Sequence, residues 1–139
     1  MLISSDTEFG KRVNQRLQDE KIIWLTTVDK NGIPQTRPVW FYWNNESFLV
    51  YSRPGAAKLK HTSSNPGVGL NFDGDGKGGD IIVFIGKVER IKDEIPSEER
   101  QAYCEKYKEG FKRIGMTADQ FGEVYSEAIR IKPERVRGH

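Results

Sequence analysis

A chain of 139 residues is long enough for one domain that buries roughly two-thirds of its unfolded surface, and 36% hydrophobic with 30% charged residues excludes a disordered chain. The net charge of +2 and pI near 8.6 fall short of the basic excess that marks a nucleic-acid footprint, where a domain pI above about 9 is expected. One cysteine, Cys104, rules out an internal disulfide, and with His61 and His139 as the only histidines a His/Cys metal cage lacks ligands.

The opening Met1–Asp6 lacks a basic start followed by an apolar run, and no stretch approaches the ~18 apolar residues that span a bilayer, so the reading is a cytoplasmic chain with no membrane partner. Phe9, Val13 and Leu17 recur every four residues and predict an amphipathic helix over Asp6–Glu20, capped by Asp6 or Thr7. The β-branched run Ile22–Val28 predicts a strand, and Asn31-Gly32 a hairpin turn into a second strand over Gln35–Trp43. After Asn44-Asn45-Glu46 a third strand covers Ser47–Arg53. Pro54 and Gly55 break it, and a short basic helix over Ala56–Ser64 follows, ending before Pro66.

Val68–Phe72 predicts a fourth strand, then a glycine-rich loop leads to a fifth over Ile81–Ile91, with Gly86 placed for a bulge or bend. A helix opened by Ser97 is expected to run to Gly110, and Thr117-Ala118-Asp119-Gln120 is a capping box for another. A sixth strand, Ser126–Lys132, ends at Pro133. The second strand is apolar on both faces, with Val39, Phe41 and Trp43 on one and Pro38, Trp40 and Tyr42 on the other. One side would fill a barrel interior while the other meets either a helix of the same chain or a second subunit. The expected architecture is mainly β within the α+β class: a single domain over 1–139, a six-stranded antiparallel split barrel with peripheral helices.

Lys58, His61 and Thr62 share one face of the basic helix, Ser52 and Arg53 stand at the strand end before it, and the helix start offers free N–H groups to an anion. Gly74, Gly76 and Gly79 imitate a dinucleotide fingerprint, but a strand follows where a helix is required. A calcium loop starting at Asp73 fails at Lys77 and Phe84. The loop is instead expected to lie over a ligand, with Asp80 accepting from a ring N–H. No serine elbow occurs, so any hard chemistry should come from a cofactor.

The order Thr26-Thr27-Val28-Asp29-Lys30-Asn31-Gly32-Ile33-Pro34, Arg37-Pro38-Val39-Trp40-Phe41, Tyr51-Ser52-Arg53-Pro54-x-x-Ala57-Lys58-Leu59 and Asn71-Phe72-Asp73-Gly74-Asp75-Gly76-x-Gly78-Gly79-Asp80 closely resembles the pyridoxamine-phosphate-oxidase-like flavin split barrels. Within them it is most similar to the small branch thought to use the deazaflavin coenzyme F420. The resemblance implies a homodimer with FMN or F420 in clefts between subunits, and hydride transfer to or from a small organic substrate. It implies that Ser52, Arg53 and Lys58 hold the cofactor phosphate, that Arg37, Pro38, Val39 and Trp40 line the ring, and that Tyr51 and Leu59 belong to the same cofactor-binding set. Tyr51 and Trp40 would face substrate, and Arg137, with Arg135, would reach the partner's site. No catalytic side chain is implied. Two other readings stay open: a non-catalytic binder of flavin, haem or another planar ligand, and a single-stranded nucleic-acid binder stacking bases on Trp40, Trp43 and Tyr51 beside Arg37 and Lys58.

Overall fold

A computed structural model describes residues 2–91 and 93–139. Thr7 caps α1 (Glu8–Asp19), its hydroxyl accepting from the Gly10 N–H at 2.9 Å. The strands are β1 (Ile22–Val28), β2 (Pro34–Trp40), β3 (Tyr42–Trp43), β4 (Phe48–Ser52), β5 (Gly67–Asn71), β6 (Ile82–Arg90) and β7 (Glu127–Gly138). Between them stand α2 (Ala57–Ser64), α3 (Ser97–Lys106), α4 (Lys108–Arg113) and α5 (Ala118–Val124).

The strands form one antiparallel sheet in the order β2-β1-β5-β6-β7-β4-β3. Its two edge strands are joined by a single residue, Phe41, so the sheet has to curl until its edges meet. The barrel predicted from the sequence is there, with seven strands in place of six because the second strand breaks at Phe41. That residue leaves both ladders, and side chains satisfy its backbone instead. Its N–H donates to the Tyr107 hydroxyl at 2.8 Å, and its carbonyl accepts from Lys106 Nζ at 2.8 Å. The Tyr107 hydroxyl in turn donates to the Lys21 carbonyl at 2.6 Å.

Two further boundaries differ from expectation. Strand β7 does not stop at Pro133: this residue sits opposite Gly86 at a bulge in the β6–β7 ladder, where its missing N–H costs little, and pairing resumes to Gly138. A Cβ on Gly86 would lie 2.4 Å from the Lys132 carbonyl oxygen, which explains the glycine. The helix expected to end at Gly110 breaks earlier, at Tyr107, and Gly110 lies inside α4.

Two cores result. Inside the barrel Ile23, Leu25, Phe41, Phe48, Val50, Phe84 and Ile131 pack together, joined by Val13 and Leu17 of α1. Outside it, Tyr103, Tyr107, Phe111 and Phe121 of the α3–α5 layer pack on Leu49, with Trp40, Tyr42 and Tyr51 against them. The chain's own helices therefore cover the second apolar face of the β2–β3 segment.

Candidate functional site

Trp40, at the end of β2, stacks on Tyr107 with ring centroids 4.6 Å apart and planes 7° from parallel, and lies 5.7 Å from Phe121. The close stack is possible because residue 110 is glycine: a Cβ there would come within 2.9 Å of the indole. Tyr51 of β4 meets Tyr103 edge to face at 4.7 Å, and Phe121 stacks on Tyr125 at 4.5 Å. Between these rings a cavity of about 370 Å³ opens, bounded by Pro38, Val39, Trp40, Tyr51 and Lys58 on the barrel side. Arg113, Ile114 and Tyr125 close the helical side.

Among the described residues the cations at this cavity lack carboxylate partners, and Arg37 donates only to the Thr27 hydroxyl at 3.4 Å. Lys58, on the first turn of α2, is half-buried, and burial together with the nearby Arg37 guanidinium pulls its ammonium below the usual lysine range. Burial lowers Arg37 as well. No carboxylate lines the cavity, and neither Lys58, Arg37 nor Arg113 forms an ion pair among the described residues. Arg53 is exposed and lies over the Tyr125 ring at 5.2 Å. The Arg100 guanidinium lies over the Tyr51 ring at 4.9 Å, beside the buried Tyr51 hydroxyl. Burial raises the phenols of Tyr51, Tyr103 and Tyr107, so all three hold their protons at neutral pH. An aromatic slot edged by cations that have no carboxylate partner suits a planar anion.

Of the residues named from the sequence, Pro38, Val39, Trp40, Tyr51 and Lys58 line this one cavity, with Arg37 and Arg53 beside it. Three stand elsewhere. Ser52 is buried and its hydroxyl donates to the Arg53 carbonyl at 3.1 Å, while the Leu59 side chain belongs to the inner core. Arg137 pairs with Val83 near the far end of β7 from Ala128, the residue opposite Tyr51.

The anion-facing cluster expected on α2 also separates. Thr62 turns its hydroxyl back to the Lys58 carbonyl at 2.8 Å, and His61 Nδ1 meets the Thr27 hydroxyl at 2.9 Å beside a different cavity. Asp80 is not poised over a ligand; its carboxylate pairs with Arg12 at 3.1 Å and Arg16 at 2.9 Å, tying the glycine-rich loop to α1. Trp43 is buried in the inner core, so Trp40, Trp43 and Tyr51 do not form one stacking platform for bases. What sequence reasoning missed is the opposite wall, Arg113, Ile114, Phe121 and Tyr125; the capping box at Thr117 located α5 but nothing local said where it packs.

Comparison with known proteins gives a consistent result. The family model described as pyridoxamine 5'-phosphate oxidase matches residues 9–139. A pyridoxine/pyridoxamine 5'-phosphate oxidase from Photorhabdus laumondii is 32% identical over 79 residues, which is 56% of this chain and 36% of that enzyme. The match thus spans little more than a third of the curated relative. Among solved structures, an F420 reductase superposes with TM-score 0.65 at 19% identity, covering 89% of this chain and 94% of the other. The heme storage protein HutZ from Vibrio cholerae superposes with TM-score 0.66 at 17% identity over 95% of each chain. No described helix is long and apolar enough to cross a membrane.

Proposed function

The chain belongs to the pyridoxamine 5'-phosphate oxidase family, and from that premise we propose that the aromatic cavity binds FMN or the deazaflavin F420 for hydride exchange with a small organic substrate. One observation carries the proposal. Lys58 and Arg37 stand close enough to depress the Lys58 ammonium, partly out of water, with no carboxylate to offset them. Two partly desolvated cations repel unless an anion enters between them, and a cofactor phosphate is such an anion.

The bound cofactor would supply the hydride chemistry; the chain supplies position. Lys58 and Arg37 anchor the phosphate, Arg53 adds charge at the rim, and Pro38, Val39 and Trp40 form the wall for the ring. Tyr107 and Phe121 both stack on the Trp40 indole, which fixes that wall. Arg100 lies over the Tyr51 ring and fixes that aromatic as part of the cavity wall.

A second subunit fits the uncovered side of the barrel. Trp24, Val83 and Ile85 lie on the outer faces of β1 and β6, only partly exposed yet outside both cores. Arg135 and Arg137 border that face through their pairing with Ile85 and Val83. A homodimer across it would set Arg137 at the subunit seam.

Haem storage in the same cavity is the competing reading, since HutZ shares the fold. Neither His61 nor His139 lines the cavity, so haem would find no imidazole ligand there, which favours the flavin. The test is turnover: reduced FMN and reduced F420, each mixed with protein and a quinone or nitroaromatic acceptor under anaerobic conditions. Protein-dependent reoxidation of one cofactor supports the oxidoreductase. Tight binding with no acceleration of either reduces the protein to a binder.

A further inference from the structure

We propose that a second cleft, between the start of β1 and the α3–α4 corner, captures small anionic aldehydes as a reversible imine on the Lys106 ε-amine. The cleft measures about 280 Å³ and is separate from the main cavity, sharing with it only Trp40 and Arg113 as a dividing wall. Lys106 Nζ is fixed there, donating to the Phe41 carbonyl at 2.8 Å and sitting 3.6 Å from the centre of the Phe41 ring. A lysine whose rotamers are already restricted gives up little further freedom on forming a bond.

The charges around it are sorted. From the α1–β1 junction come Lys21, which donates to the Lys106 carbonyl at 3.0 Å, and Glu20, which is held by Arg16. On α3 and α4, Glu105 is taken by Lys108 at 2.9 Å and Glu109 by Lys112 at 3.4 Å, and Tyr107 stays neutral. That leaves Lys21 and Arg113 as cations with no carboxylate partner among the described residues. Burial and the neighbouring Lys21 bring the Lys106 ammonium down to about 7, so much of it is free amine at neutral pH. A nucleophilic nitrogen flanked by two unpaired cations and an indole wall selects a carbonyl compound that carries a carboxylate or phosphate.

The chemistry balances without an oxidant. The nitrogen lone pair attacks the carbonyl carbon, the C–N bond forms, and the carbonyl oxygen departs as water with the two amine hydrogens. The ligand's anion is held by Arg113 and Lys21, and hydrolysis reverses the step.

The intact protein incubated at pH 7.5 with glyoxylate and cyanoborohydride, then digested and mapped by mass spectrometry, tests this directly, with acetaldehyde as the uncharged control. Because its amine is free where ordinary lysines are protonated, Lys106 should carry about tenfold more glyoxylate adduct than the chain's other lysines. Its labelling should rise with pH through about 7. The preference should shrink with acetaldehyde and in Arg113→Gln. Label spread evenly over the lysines, label concentrated on Lys58, or equal labelling of Lys106 by both aldehydes would overturn the proposal.

Discussion

Lys58 and Lys106 are both lysines that burial pushes toward neutrality, and they make opposite predictions. Lys58 faces an open cavity, so its cost is relieved by ligand. A charge-assisted hydrogen bond contributes about 1.5–3 kcal/mol, and Lys58→Ala should weaken FMN or F420 binding by one to two decades while leaving the fold intact. Lys106 lines a smaller cleft, and in the absence of ligand its burial is relieved by losing its proton. Its folded pKa of about 7 lies below the ordinary lysine value, so between about 7 and 10.5 the unfolded chain binds more protons. Stability should therefore rise with pH across that window and be flat below it. In Lys106→Met, urea melts from pH 6 to 10 should lose that rise; an unchanged slope would show that the amine is not desolvated. The sequence revealed Lys58, because a cation after a strand-ending Pro-Gly is a local pattern. It concealed Lys106, whose chemistry comes from Phe41 and Lys21, both distant along the chain.

At the scale of elements, two of the contacts that attach the helical layer to the barrel make separate predictions. Glu99 holds Arg130 of β7 through both carboxylate oxygens, at 2.8 and 2.9 Å, and accepts from Asn44 at 3.0 Å. Arg130 keeps the Glu99 carboxyl below its ordinary range. That stabilisation is complete above the ordinary value near 4.5 and is lost as pH falls through the depressed one. Glu99→Gln should cost about 3 kcal/mol at neutral pH, as expected when one partner of a largely buried pair is removed, and the deficit should narrow in acid denaturation. The second contact is the Gly110–Trp40 approach. Gly110→Ala forces a methyl against the indole, and about 1–3 kcal/mol of overpacking should appear as a lower melting temperature with an altered tryptophan near-UV spectrum. An unaltered spectrum would mean that Trp40 is not clamped. Strand and helix positions were legible because period and turn residues are local. The break at Phe41 and the continuation through Pro133 were not, because partners from α3 and from the β6 bulge decide them.

At the scale of the whole molecule, the doubled aromatics of residues 38–43 announced two apolar surfaces but not their owner. The structure assigns the second surface to α3–α5 of the same chain, which leaves the outer side of β1, β5 and β6 uncovered by these helices, and the proposed dimer uses that side. Sedimentation at micromolar concentration should then give a dimer, and a charge introduced on that face, as Ile85→Asp, should yield a folded monomer. A wild-type monomer would remove the partner from the account of Arg137. The deeper claim is that unpaired cations at an aromatic cavity are there to receive a flat anion. Equilibrium titration of FMN and F420, followed by quenching of their fluorescence in wild type and Lys58→Ala, tests it most directly. The account predicts saturable binding of at least one cofactor by wild type, weakened ten- to a hundredfold in the variant; binding of neither cofactor, or equal affinity in both proteins, would contradict it.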